Sequence, residues 1–127
     1  ETWQIKGYWE ASYHYLRTLD PDPDLNSSLH IWAITPVFVL QTPAWQQWQP
    51  YFEVAIGAAY LSDKEIAGRV TGSRYQFEDR AAFGIRFGPR GDYDLNVRVI
   101  HYSNADIAEP NPGFDVVMLN LTMPVTF

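Results

Sequence analysis

The sequence predicts an all-β chain, an antiparallel up-and-down transmembrane β-barrel. Three observations lead there. Apolar and polar residues alternate with period two along most of the chain. Aromatic residues make up 16% and charged residues only 19%, yet the mean hydropathy is slightly negative. That intermediate profile belongs to strands with one lipid-facing and one lumen-facing side, whose hydropathies average out. Lastly, long polar connections alternate with short ones, as outer loops and inner turns do in such barrels.

The 127 residues make one domain, 1–127. Five Trp, eight Tyr and seven Phe exclude a disordered chain. A net charge of −6 argues against nucleic acid as a partner. The absence of cysteine removes disulfides and thiolate metal sites. The chain opens on Glu1-Thr2-Trp3 without a signal segment, so its start is expected to be processed or to lie upstream.

The first strand runs from Trp3 to Tyr15, with Trp3, Ile5, Gly7, Trp9, Ala11, Tyr13 and Tyr15 on one face and Gln4, Lys6, Tyr8, Glu10, Ser12 and His14 on the other. An acidic connection from Leu16 to Ser28 follows. Its Asp20, Asp22 and Asp24 are spaced like calcium ligands, but interleaved prolines and the missing Gly and Glu make it a solvated loop. The second strand, Leu29 to Gln41, is apolar on both faces. It opens the longest charge-free stretch, Leu29 to Phe52, which Pro36, Pro43, Pro50 and four glutamines disqualify as a membrane-spanning helix. Thr42 to Gln49, with Trp45 and Trp48, is a short turn bearing interfacial aromatics. The third strand, Pro50 to Leu61, sets Phe52, Val54, Ile56, Ala58 and Tyr60 on one face.

After a long connection from Ser62 to Gly72, the strand from Ser73 to Gly88 carries Tyr75, Phe77, Ala81, Phe83, Ile85 and Phe87 outward. Arg74, Gln76, Glu78, Arg80 and Arg86 face the other way. The charged residues thus share one side, where Glu10, Glu53, Glu78, Arg80, Arg86 and Arg98 pair inside a narrow lumen. Glu78 and Asp79 with Arg80 and Arg86 are taken as one lumen network. Gly88 to Asp92 is a tight turn, and the last two strands form a hairpin whose tip is Ala105 to Pro112, ending at Phe127.

That makes about six strands, whereas a membrane barrel closes with at least eight. Lipid cannot solvate an open sheet edge. N-terminal strands are therefore expected to be missing from this sequence, or a partner chain, in a homodimer for instance, supplies them.

The terminal hairpin carries the chemistry. With His101 opposite Asp115, the residues His101, Ser103 and Asp115 share the face that bears Leu95, Val97, Val99, Val117, Leu119, Leu121 and Val125. Carboxylate beside imidazole beside hydroxyl is the arrangement acyl transfer needs. Ser103 is the nucleophile, His101 the general base and Asp115 its orienting acid. The Asn104 side chain and backbone N–H groups of Ala105 or Asp106 are candidates for an oxyanion hole. No metal and no cofactor is expected. His14 and His30 lie on other strands and read as lumen or interface residues. A hydroxyl, imidazole and carboxylate on a lipid-facing surface suggest a hydrolase whose substrate is the membrane. The rival is a non-catalytic barrel serving as a structural component of an envelope assembly.

The segment HYSNADIAEPNPGFD (His101 to Asp115) resembles the signature of the lipid A 3-O-deacylase family, the PagL-type outer-membrane acyl hydrolases. GYWEASYHY (Gly7 to Tyr15), PVFVL (Pro36 to Leu40), PYFEVAIGAAYLS (Pro50 to Ser62) and FEDRAAFGIRF (Phe77 to Phe87) extend the resemblance in order over nearly the whole chain. It implies an eight-stranded barrel of which the last six strands are present. It further implies a serine esterase that removes the 3-linked acyl chain of lipid A, in lipopolysaccharide of the outer leaflet. The family's histidine, serine and oxyanion asparagine fall on His101, Ser103 and Asn104. Two positions depart from its pattern: Asp115 stands where the acid is usually Glu, and Asp106 where the family has Gly.

Overall fold

Alternation in the sequence becomes alternation in space. In a computed structural model, which describes residues 2–19, 21–43, 47–104 and 113–126, six long strands carry an exposed apolar residue at nearly every second position. The long strands are β1 (Gln4–Arg17), β2 (Ser28–Gln41), β3 (Gln49–Leu61), β6 (Tyr75–Phe87), β7 (Tyr93–Ser103) and β8 (Phe114–Thr122). Between β3 and β6 stand two short strands, β4 (Glu65–Ile66) and β5 (Arg69–Val70). The long connection from Ser62 to Gly72 is thus itself a small hairpin rather than a plain loop. All pairings are antiparallel, and the main sheet runs β1-β2-β3-β6-β7-β8.

A 13-residue strand such as β3 rises about 43 Å along its axis. Tilted by about 40°, it still exceeds the apolar band of about 25 Å that an outer-membrane barrel presents to lipid. No helix among the described residues is long and apolar enough to cross a membrane. The outward face is ringed by aromatics at both ends. Tyr13, Trp32, Tyr60 and Tyr75 form a row by strand register at the end with the long connections. Trp48, Phe87 and Tyr93 stack at the end with the short turns. Trp45 and Phe127, expected in the same roles, lie outside the described residues.

The sheet is strongly curled. The Arg80 guanidinium on β6 meets Glu10 on β1 at 2.8 and 3.2 Å. In a flat sheet those strands, three spacings apart, would stand about 14 Å from one another. The concave side holds the core in layers. Leu29, Ile31, Ala33, Ala59, Leu61, Ile100 and Tyr102 pack at the long-loop end, and Val37, Val39, Tyr51 and Ala55 further down. Between them lies the expected ion network: Arg80 also binds Glu53 at 3.2 Å and Glu78 at 3.0 Å, and Arg98 reaches Glu53 at 3.4 Å. Glu78 completes its shell with the Thr35 and Tyr102 hydroxyls, which donate at 3.0 and 2.8 Å. Arg86, expected in the same network, instead forms a separate cluster with Gln41 at 2.8 Å and Asp94 at 3.6 Å.

Asp79 was grouped with this network and does not belong to it. It follows Glu78 on a strand, so the pleat turns it outward, in register between Ile56 and His101. Among the described residues, β1 pairs only with β2 and β8 only with β7, so the sheet is open between them.

Candidate active site

The β7–β8 hairpin places the candidate residues. Antiparallel register sets His101 opposite Asp115, and alternation brings Ser103 to the same outward face while Tyr102 and Asn104 turn inward. The expected acid–base pair is in contact: His101 Nδ1 and Asp115 Oδ1 are 2.6 Å apart. A carboxylate has no proton to give, so the hydrogen sits on Nδ1 and the Nε2 lone pair is left for a base. Both side chains are accessible, at 46% and 65%.

The other edge of the ring lies over Gly113. A Cβ built there would stand 2.9 Å from His101 Cε1 and 3.3 Å from Nε2. Gly113 lies one step beyond the Tyr102–Phe114 pair, at the end of the hairpin that carries Ser103, and among the described residues Ser103 makes no hydrogen bond to the imidazole. The glycine is also in the left-handed region (φ +63), which side chains rarely adopt. Gly113 was not singled out from the sequence, although a Gly just before a strand is the available signal for such a position.

The small β4–β5 hairpin grips both arms of this unit. Arg69 donates from Nη1 to the Gly113 carbonyl at 2.8 Å, at the start of β8. At the end of β7, the Asn104 amide donates to the Thr71 carbonyl at 3.0 Å. Asn104 is 2% exposed. Its side chain therefore sits beneath the outward face, bonded to the Thr71 carbonyl. Ala105 and Asp106, the other candidates for the oxyanion hole, lie outside the described residues, as does Asp20 of the acidic loop.

Of the remaining histidines, His14 faces inward, while His30 is on the outward face with the Tyr13 hydroxyl at its Nδ1 and Tyr15 and Trp32 around it. Neither approaches the hairpin pair in register. No cluster of His, Asp and Glu able to hold a metal ion occurs among the described residues.

Asp79 is the residue that the sequence argument set on the wrong face. It stands on β6 opposite His101, on the flank away from Asp115. Its parity along the strand, two after outward Phe77 and two before outward Ala81, was the available signal.

The chain is similar to known proteins. The sequence model of the family described as lipid A 3-O-deacylase (PagL) matches residues 1–124. The lipid A deacylase PagL of Pseudomonas aeruginosa is 33% identical over 124 residues, covering 98% of this chain and 68% of that protein. Its namesake in Bordetella bronchiseptica is 32% identical over 114 residues, covering 82% of this chain and 62% of the relative. The crystal structure of the outer-membrane enzyme PagL is similar with a TM-score of 0.82 at 31% identity, covering 98% of this chain and 78% of that one.

Proposed function

This chain belongs to the lipid A 3-O-deacylase (PagL) family, and we propose that Ser103, His101 and Asp115 carry its ester hydrolysis as nucleophile, general base and orienting acid. Membership makes it an ester-hydrolysing enzyme of the bacterial outer membrane that acts on lipid A. The observation that carries the assignment of roles is the His101–Asp115 contact of 2.6 Å on the lipid-facing side of the sheet. Polar groups on such a face are costly and tend to serve function.

Lipid A of the outer leaflet approaches side-on. Its sugar lies level with the long connections, and its acyl chains lie along the apolar outward face. Ser103 Oγ attacks the carbonyl carbon of the 3-linked ester while His101 Nε2 takes the serine proton. Asp115 stabilises the resulting imidazolium. The candidates to meet the tetrahedral oxyanion are the Asn104 side chain and the backbone N–H of Ala105 or Asp106. Collapse releases the sugar hydroxyl, protonated by His101, and leaves an acyl-serine. Water, deprotonated by the same imidazole, then frees the fatty acid. A positioned general base supplies about 10²–10⁴-fold and each oxyanion donor about 10²–10³-fold.

A serine-directed sulfonyl fluoride tests these roles. It should form a covalent adduct at Ser103 in the folded barrel, and labelling should fall sharply in His101→Ala. Labelling that persists undiminished in Ser103→Ala would remove the serine from its role.

We propose also that further strands complete the wall between β1 and β8, because unpaired edges cannot face lipid. Cross-linking at these edges between two chains would assign them to a second copy or partner. Cross-linking within one chain would assign them to the same protein.

A further inference from the structure

The β4–β5 hairpin stands at the long-connection end of the barrel on a rigid mount. Three hydrogen bonds tie it to Asn26 of the first connection. The Asn26 backbone N–H donates to the Glu65 carboxylate at 2.9 Å, its amide donates to the Glu65 carbonyl at 2.7 Å, and the Ala67 N–H donates to the Asn26 carbonyl at 2.9 Å. Ala67 (φ 50) and Gly68 (φ 84) make the two-residue turn, and a residue with a Cβ keeps a left-handed backbone only where its surroundings fix it. Ile66 packs against the core at this end. Arg69 is opposite Ile66 in the ladder, so it leaves the same face of the hairpin and reaches the Gly113 carbonyl at 2.8 Å.

That guanidinium is exposed and largely unspent. It has five N–H donors, and beyond the Gly113 bond none of them meets an acceptor among the described residues. The carboxylates of its own hairpin are turned away to backbone N–H groups. Asp63 accepts from Glu65 at 3.1 Å, and the Glu65 oxygen not bound to Asn26 accepts from Gly68 at 2.6 Å. Among the described residues no carboxylate pairs with Arg69. The site beneath it is anionic, with Asp115 and Asp79 flanking His101 on the outward face. Arg69 is thus a cation anchored on the catalytic hairpin, level with the sugar, with its fork open.

On the reading of Ser103 as nucleophile, we infer that Arg69 binds a phosphate on the sugar that carries the ester, so that the enzyme selects phosphorylated glucosamine lipids over neutral ones. Gly113 lies one step beyond the Tyr102–Phe114 pair, at the hairpin end that carries Ser103. Paired strands are about 5 Å apart and the hydrogen bond adds about 3 Å, so the guanidinium stands on the order of 10 Å from the Ser103 backbone. An ester at position 3 and a phosphate at position 1 of one glucosamine are parted by a single ring carbon and fit within that span. A planar guanidinium meets two phosphate oxygens at once, a geometry that an ammonium cannot match. The contact offsets the repulsion from Asp115 and Asp79 and turns the esterified side of the sugar toward Ser103.

The test is a competition between two glucosamine lipids in micelles of a neutral detergent. Both carry the same 3-linked ester, and position 1 bears a phosphate in one and a free hydroxyl in the other. Charge-assisted contacts at an exposed guanidinium predict a preference of about tenfold in kcat/KM for the phosphorylated lipid. In Arg69→Ala that ratio should collapse to within about threefold of unity, and Arg69→Lys, which keeps the charge but loses the fork, should fall between. Added salt should narrow the ratio in the unmutated enzyme and leave it unchanged in Arg69→Ala. Both substrates share one tube, so the ratio does not depend on how much of each variant folds. A ratio that survives Arg69→Ala would overturn the inference. So would an equal loss on both lipids, since that would make Arg69 only a prop for Gly113. Equal turnover of the two by the unmutated enzyme would overturn it as well, because the cation would then read the micelle surface rather than its substrate. Ser103→Ala run alongside keeps the two claims apart. Hydrolysis persisting there would sink the nucleophile assignment, whereas an unselective enzyme silenced by Ser103→Ala would sink the phosphate contact alone.

Discussion

Replacing Gly113 with Ala should injure catalysis more than the fold, and the structure sets the size of both effects. The new methyl would sit 2.9 Å from His101 Cε1 and 2.9 Å from the Tyr102 carbonyl oxygen, where ordinary contacts begin at 3.4 Å. The carbonyl belongs to a strand ladder and cannot retreat, so the imidazole must, by about 0.5 Å. That takes the Nδ1–Oδ1 contact from 2.6 Å toward the long end of the hydrogen-bond range and displaces the base from its place beside the serine strand. A misplacement of about 1 Å costs about 10²-fold in rate, so half of that predicts a fall in kcat of roughly tenfold, rising toward a hundredfold if the Asp115 contact breaks. The left-handed backbone at φ +63 adds about 1–2 kcal/mol of destabilisation for a residue with a Cβ. The assay is kcat on lipid A in mixed micelles, paired with urea unfolding of the same preparation. A variant of normal kcat with its barrel intact would refute the placement of the imidazole over Gly113.

Other perturbations follow from the same geometry. Asp115→Asn removes the charge that fixes the imidazole tautomer, and should lower kcat by about 10²-fold or more while leaving urea unfolding within about 0.5 kcal/mol. Arg80→Met leaves Glu10, Glu53 and Glu78 without their shared cation inside the curl, and should cost about 3–5 kcal/mol in the same unfolding measurement. Val97→Arg places a charge on the outward face near the middle of β7, and should destabilise insertion into lipid by about 2–4 kcal/mol, read from folding titrations in vesicles.

Much of the fold was legible because strands repeat every two residues. Once Phe52, Val54 and Ile56 are assigned outward, Glu53 has only the lumen left to it, and Arg80 and Arg98 supply its partners there. The same rule, applied without exception, would have turned Asp79 outward. Grouping it with Glu78 and Arg80 by charge overrode the parity of the strand, which the pleat enforces whatever the side chain. The His101–Asp115 contact was legible from hairpin register, since opposed residues on one face must meet. The Asn104 bond to Thr71 was not, because it depends on how a distant connection folds back. The two-residue strands β4 and β5 are too short to show any period, so their grip on the site through Arg69 and Thr71 left no trace in the alternation.

The central claim is that the outward hairpin face hydrolyses an ester of lipid A through Ser103. Mass spectrometry of lipid A, from cells expressing the protein and from cells expressing Ser103→Ala, tests it most directly. The account predicts loss of a single 3-linked acyl chain with the first and an intact lipid with the second, both barrels being present in the outer membrane. Equal loss of that chain in both would contradict it, and so would an unmodified lipid from cells whose unmutated barrel is folded and inserted.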